Sequence, residues 1–290
     1  MEHINLDEAL NKFKGELIQQ YNLSEPVTEH EEDGLSVKRI GNFTGSSLKK
    51  LMTGKSKKKG LDWSMREKLV DFGDTALTYC MQKAIERLTG QRIETPVTWK
   101  MRWGTNNEPV ARDKFFEKFN VPVPEQDFMF FLSNAGATPD SFIDKIVLDS
   151  VEYKNLNVEI KCPPTPDNHH KYITQDMDEK HEYFWQIQGE MDSQSKSRGI
   201  ECNKTLFVSY HPYFPEGFQL GNRIVEASKL HQTAIKIRCI IAERIVVAMM
   251  KDFWKRPSDF LQDAIKDIPD NYEDIITWYK KEVVKYEPYK

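Results

Sequence analysis

The chain has 290 residues, 39% hydrophobic and 30% charged, with a formal net charge of -4, which suits one large soluble, globular core. Its longest apolar stretch, "IRCIIAERIVVAMM", contains Arg238, Glu243 and Arg244, which excludes a bilayer span, so no membrane partner is expected. The start "MEHINLDEAL" has acids where a secretory leader has a basic flank and an apolar run, so a cytoplasmic location is expected.

In chain order, Leu6 to Gln20 has helical spacing, and Glu25 to Asp33 is acidic. Gly34 to Leu61 then contains no acid, while Lys38, Arg39, Lys49, Lys50, Lys55, Lys57, Lys58 and Lys59 supply eight positive charges. Such local asymmetry offers a polyanion one basic region on an acidic protein, although "KSKKK" alone equally suits a solvated loop. "FTGSSLKKLM" provides Thr44 or Ser46 as the N-cap of a short helix. Leu69, Phe72, Ala76, Tyr79, Met81 and Ile85 predict one helix over Arg66 to Leu88, ended by Gly90.

"MRWGTNNEPVARDKFFEKF" predicts another helix, beginning near Gly104 and turning Val110, Phe115 and Phe119 inward. The runs "DFMFFL", "SFIDKIVL" and "LNVEIK" predict three strands of one antiparallel sheet. "EKHEYFWQIQGEMDSQS" is helical, with Phe184, Ile187 and Met191 on one face and Gln186 opposite. "KTLFVSYHP" is a buried strand, Leu230 to Phe253 a long amphipathic helix, and Pro257 to Lys290 a charged helical tail. This order makes an α/β or α+β fold. Cys80, Cys162, Cys202 and Cys239 have no CxxC spacing and are read as buried thiols. His169 and His170 are read as surface histidines, and Trp63, Trp99, Trp103 and Trp185 as packing residues.

In "NVEIKCPP" the alternation puts Val158 and Ile160 on one face and Glu159 and Lys161 on the other. If this strand pairs with Ser141 to Leu148 through the turn "DSVEYKN", Asp140 comes to lie beside Glu159 and Lys161. Two carboxylates placed so can hold Mg2+, and the lysine can orient or deprotonate a water. Glu159 and Lys161 by themselves would equally make a surface cross-strand pair, contributing under about 1 kcal/mol. Glu108 and Gln186 lie on helices that flank the sheet in sequence.

The ordered motifs WGxxxE (Trp103, Gly104, Glu108), TPD (Thr138 to Asp140), ExKCP (Glu159 to Pro163) and YxxQxQ (Tyr183 to Gln188) resemble the phage lambda exonuclease family. These are the YqaJ-type viral recombinases of the PD-(D/E)xK nuclease superfamily. "RIGNFTGSS" from Arg39 is similar to the family's RxGxxTxS segment, so the resemblance spans roughly Lys38 to Tyr210. It implies a restriction-endonuclease-like core with a central mixed β-sheet flanked by helices. It also implies a Mg2+-dependent 5′-to-3′ exonuclease on linear double-stranded DNA that leaves 3′ overhangs for recombination by single-strand annealing. A pair of Mg2+ ions, for which Mn2+ can substitute, would be held by Asp140, Glu159, the main-chain carbonyl of Ile160 and Glu108.

By the same resemblance Lys161 positions the attacking water, Gln186 stands close to it, and Arg39, Ser46 and Thr138 bind the 5′-phosphate. Arg39 can fork two phosphate oxygens, and Ser46 would sit at a helix N-terminus. The resemblance implies a ring-shaped homotrimer, a single-strand annealing protein as partner, and a bacterial or phage-infected host cell. The expected division is an extension over 1–35, an exonuclease domain over 36–253 and a helical tail over 254–290. Other readings of the same residues are a RecB-like or Cas4-like nuclease, an endonuclease, or a catalytically silent DNA-end-binding protein. Only Cys162 lies near a motif, against the cysteine set of a Cas4-like module.

Overall fold

Segments with apolar residues at three- and four-residue intervals fold as helices, and segments with alternating or continuous β-branched and aromatic residues as strands. The computed structural model describes residues 38–56, 60–93 and 96–288. These carry β1 (Phe43–Thr44), α1 (Leu48–Leu51), α2 (Arg66–Leu69), α3 (Asp74–Thr89), α4 (Trp99–Phe119), β2 (Met129–Leu132), β3 (Ala135–Ala137) and β4 (Ser141–Leu148). There follow β5 (Val151–Lys161), α5 (Pro166–Thr174), α6 (Phe184–Arg198), β6 (Lys204–Tyr210), β7 (Leu220–Glu226), α7 (Lys229–Lys251), α8 (Leu261–Ile265) and α9 (Tyr272–Val283). The helix expected over Leu6 to Gln20 and the lysines Lys57 to Lys59 lie outside the described residues.

The strands form two sheets, in the orders β1-β3-β2 and β4-β5-β6-β7. The "DFMFFL" strand therefore does not share an antiparallel sheet with β4 and β5. Instead β2 folds back on β3, which also takes β1 as a parallel partner, Phe43 opposite Ala135. The small residues of β3 allow this: a Cβ on Gly136 would lie 2.4 Å from the Met129 carbonyl oxygen. The same small residues hid β3 from a reading based on β-branched and aromatic content.

In the second sheet β4 and β5 are antiparallel, Ser141 opposite Val158 and Leu148 opposite Val151. β5 and β6 are parallel, with Glu159 level with Phe207 and Lys161 with Ser209, and β6 and β7 are antiparallel. This is a mixed sheet flanked by helices. Ala111 and Phe115 of α4 pack with Val158, Ile160, Leu206 and Val208, while Ile187 and Met191 of α6 pack with Phe142 and Phe207. The stretch "DSVEYKN" is not one long turn. Asp149 and Ser150, both at positive φ, close the hairpin and β5 starts at once, as in a two-residue hairpin loop.

The helix expected over Arg66 to Leu88 breaks at Gly73. Its N–H donates to the Thr53 carbonyl at 3.0 Å, and a Cβ there would come within 3.0 Å of the Gly54 backbone. Gly90, at φ 68, ends α3 as expected. α4 begins before Gly104, where Thr98 caps it by accepting from Met101 N at 3.3 Å. Val110 is 42% exposed, so Ala111 rather than Val110 faces the core with Phe115.

A further apolar cluster joins α3 and α7 with α8 and α9, burying Ile241, Ile245, Ala264, Ile265 and Ile275 together. All four cysteines are free and buried. Among the described residues no helix is long and apolar enough to cross a membrane.

Candidate active site

β5 brings the acid and the base to one place. Val158 and Ile160 pack toward α4, so the alternation turns Asn157, Glu159 and Lys161 toward α6. The register that pairs Ser141 with Val158 carries Asp140 level with Glu159. Asp140 Oδ2 accepts from the Ile160 N–H at 2.6 Å. Glu159 is fully buried, with the Lys161 ammonium against its Oε1. Gln186 Nε2, reaching down from α6, donates to Glu159 Oε1 at 2.6 Å and to Glu190 Oε1 at 2.7 Å.

Glu108 makes no hydrogen bond to this cluster, but it is close enough to add to burial and Glu159 in pushing the Asp140 carboxyl up. It pairs with Arg112 at 2.6 Å, one helical turn along α4. Arg112 also donates to the Asp140 carbonyl at 3.1 Å, tying α4 to the start of β4. A second tie runs from Trp103 Nε1 to the Pro163 carbonyl at 3.1 Å. The prolines after Lys161 thus end the strand and also supply an acceptor that anchors the Glu108 helix.

Burial and then Glu159 push the Asp140 carboxyl well above the usual carboxylate range. Burial and then Glu190 push Glu159 up to about 8, and burial and then Asp140 push Glu190 up to about 7. At Lys161 burial works against the charge, but Glu159 and Asp140 outweigh it and hold its pKa well above the ordinary lysine value. Lys161 is therefore an ammonium at neutral pH, suited to orienting a water rather than deprotonating one.

Asp140, Glu159 and Glu190 share Lys161 as their buried counter-charge, and Glu159 Oε2 is buried with no hydrogen-bond partner. A buried hard oxygen without a partner, among acids whose mutual repulsion a cation would relieve, suits Mg2+, so Asp140 and Glu159 fit the ion. Among the described residues no three His, Cys, Asp or Glu side chains already stand in coordination geometry. Arg112 draws Glu108 aside and Lys161 occupies one oxygen of Glu159.

Beside this cluster Arg39, Thr44, Gly45, Ser46, Phe128, Thr138, Gln186 and Glu190 line one small cleft. Arg39 donates to Thr138 Oγ1 at 2.5 Å, while its Nε is buried without a partner. The Arg39 segment is held by α3: Glu86 Oε2 accepts from Gly41 N at 2.8 Å, and Arg87 Nε donates to Gly41 O at 2.9 Å. Gly41, at φ 70, has no room for a Cβ against Arg87. Ser46 lies in a 3-10 turn (Gly45–Ser47) leading into α1, not at a helix N-terminus, and neither it nor Thr44 makes a side-chain cap.

His169 is not at the surface. It is buried, with Nδ1 against Ser209 Oγ at 2.8 Å and Nε2 against the Phe218 carbonyl at 2.9 Å. His170, its neighbour, is exposed. Trp63 and Trp185 are buried and pack edge to face, whereas Trp99 is 56% exposed and is not a packing residue. Sequence reasoning missed Glu190, Asn157 and Arg112. Glu190 and Arg112 follow Gln186 and Glu108 by four residues on their helices, a spacing that puts each pair on one helix face.

The family model described as the YqaJ-like viral recombinase domain matches residues 38–196. The chain belongs to this family. The matched segment contains Arg39, Ser46, Glu108, Thr138, Asp140, Glu159, Ile160, Lys161, Gln186 and Glu190. Among solved structures, the alkaline exonuclease LHK-Exo from Laribacter hongkongensis is similar with a TM-score of 0.57 at 21% identity. The alignment covers 78% of this chain and 97% of that one. Its complex with dAMP matches at 22% identity with the same TM-score and coverage. A phage-related exonuclease from Haemophilus somnus 129PT matches with a TM-score of 0.56 at 15% identity, over 73% of this chain and 96% of the other. No curated protein matches the chain. At such identities the likeness is one of fold, and this chain has the restriction-endonuclease-like core of the alkaline exonucleases.

Proposed function

We propose that this member of the YqaJ-like family is a Mg2+-dependent exonuclease that degrades one strand of linear double-stranded DNA from its 5′ end and leaves a 3′ overhang for single-strand annealing. The observation that supports this reading is the junction of two clusters. Asp140, Glu159, Lys161 and Gln186 meet at the end of β5, and Gln186 also borders the cleft of Arg39, Ser46 and Thr138. A terminal phosphate seated in that cleft would set the next phosphodiester against the carboxylates.

In this reading Asp140, Glu159 and the Ile160 carbonyl would hold Mg2+, or Mn2+ in its place, with Glu108 as a further carboxylate ligand. When bound, the cation offsets negative charge developing on the phosphodiester. Lys161, held charged, orients the attacking water, and the Gln186 amide fixes its other side. The water oxygen bonds to phosphorus, the bond to the 3′-oxygen breaks, the water gives up one proton to solvent while the departing 3′-oxygen takes one up, and a 5′-mononucleotide leaves. Arg39 supplies a fork of donors to the terminal phosphate, and the Ser46 and Thr138 hydroxyls donate beside it. A ring-shaped homotrimer working with an annealing protein accompanies this activity.

The test compares linear duplex with 5′-phosphate, linear duplex with 5′-hydroxyl and closed circular plasmid, each with Mg2+ or EDTA. Digestion should be fast on the first, slower on the second, absent on the circle and abolished by EDTA. Nicking of the circle would mark an endonuclease and overturn the reading.

A further inference from the structure

Glu190 touches both halves of the site. It is buried on α6, its Oε1 accepts from Gln186 at 2.7 Å, and its Oε2 accepts from Asn157 Nδ2 at 3.1 Å. It also lines the cleft that contains Arg39, Ser46 and Thr138. Among the described residues no lysine or arginine forms an ion pair with it. Its hydrogen-bond partners are the neutral amides of Gln186 and Asn157 and the carboxyl of Glu159, and Lys161, the counter-charge it shares with Glu159 and Asp140, is paired with Glu159 rather than with it.

Two consequences follow from elementary electrostatics. With carboxylate oxygens of Glu159 and Glu190 on two sides, Gln186 can face them only with its NH2 group. Its carbonyl oxygen is thereby turned away from both acids. Second, a buried carboxylate in the wall of an anion cleft repels a phosphate, and the low local dielectric strengthens the repulsion. A cation on Asp140 and Glu159 would offset that charge.

Building on the function proposed above, we propose that Glu190 is a positioning residue that couples the metal centre to 5′-phosphate recognition: it repels the terminal phosphate until a cation is bound. By linkage, the cation then raises affinity for the phosphorylated end, and that end raises affinity for the cation by the same factor. A DNA end is thus gripped only by the metal-loaded site.

Glu190→Gln is the sharpest probe. The neutral amide in place of the carboxylate would keep an acceptor for Gln186. Asn157, whose Oδ1 is buried without a partner, can flip its amide to accept from the new NH2 while the Thr205 hydroxyl turns to donate. The measurement is fluorescence anisotropy of a short labelled duplex with 5′-phosphate or 5′-hydroxyl, in EDTA and in Ca2+, which replaces Mg2+ so that ends stay uncut. In wild type Ca2+ should tighten binding of the phosphorylated end by about tenfold or more, within the usual range of coupling between sites. In Glu190→Gln the phosphorylated end should bind more tightly than in wild type without metal, and the Ca2+ effect should shrink to less than about twofold. General damage to the site would weaken binding under both conditions instead, and would overturn the proposal.

If the single variant does not fold, the double variant Glu190→Gln with Asn157→Asp restores a donor-acceptor pair and moves the charge off the cleft. It should lose the coupling in the same way. Equal Ca2+ effects in wild type and variant would overturn the proposal. If wild type shows no preference for the 5′-phosphate in Ca2+, the phosphate reading of the cleft falls, and the coupling falls with it.

Discussion

A buried lysine keeps its charge only when nearby acids outweigh the cost of leaving water. At Lys161 they do, because Glu159 and Asp140 both face it. The ammonium is thus a fixed positive charge at the point where the proposed reaction develops a negative one. Lys161→Ala should lower kcat by at least about 100-fold, the usual scale for removing one preorganised charge donor, while anisotropy still detects duplex binding. A variant that cuts at the wild-type rate would refute the role. The acids make a second prediction. Glu159 and Glu190 have folded pKa values raised to about 8 and about 7 from the ordinary 4.5. The stability they contribute is complete below that ordinary value and is lost as pH rises through the raised ones. A cation relieves this penalty, so Mg2+ should raise Tm more at about pH 8.5 than at about pH 5.5. Equal shifts at both pH values in scanning fluorimetry would count against a metal on these carboxylates.

At the scale of elements, the site depends on how two helices are fastened to one strand. α4 is tied to the end of β5 by Trp103 Nε1 on Pro163 O and to the start of β4 by Arg112 on Asp140 O. Trp103→Phe keeps a ring but removes the donor. It should cost about 1 kcal/mol of stability, typical of one net hydrogen bond, and lower kcat severalfold because Glu108 rides on the same helix. Wild-type kcat in a stably folded variant would remove the tie from the mechanism. The strand itself was legible in the sequence: alternation in "NVEIK" and pairing with "SFIDKIVL" place Asp140 beside Glu159, and both follow from side-chain period and hairpin geometry. β3 was not legible, since "AGA" has no β-branched or aromatic residue and is a strand only because its small residues admit neighbours closely. The α2–α3 break is likewise tertiary, set by the approach of Gly54 to Gly73. Arg112 and Glu190 escaped because each is informative only once its partner four residues away has been placed.

For the whole molecule, the question with the largest energetic consequence is what the C-terminal helices contribute. α8 and α9 bury Ala264, Ile265 and Ile275, and Ile268 between them, in the same cluster as Ile241 and Ile245 of α7. The Tyr286 carbonyl accepts from Ser133 N at 2.7 Å, between β2 and β3. Fully burying an isoleucine is worth about 1.5 to 3 kcal/mol, so the three isoleucines alone represent about 5 to 9 kcal/mol. That is comparable to the entire stability of a typical domain, about 5 to 15 kcal/mol. Their removal would also leave the apolar face of α7 open to solvent, an aggregation hazard. A chain ending at residue 253 should therefore lack a cooperative thermal transition, whereas the full-length chain unfolds in one. Circular dichroism of the two chains checks this. A truncated chain melting within about 5 °C of full length, a shift worth about 1 to 2 kcal/mol, would mean that the helices after residue 253 are an appendage, and the nuclease assay could then be run without them.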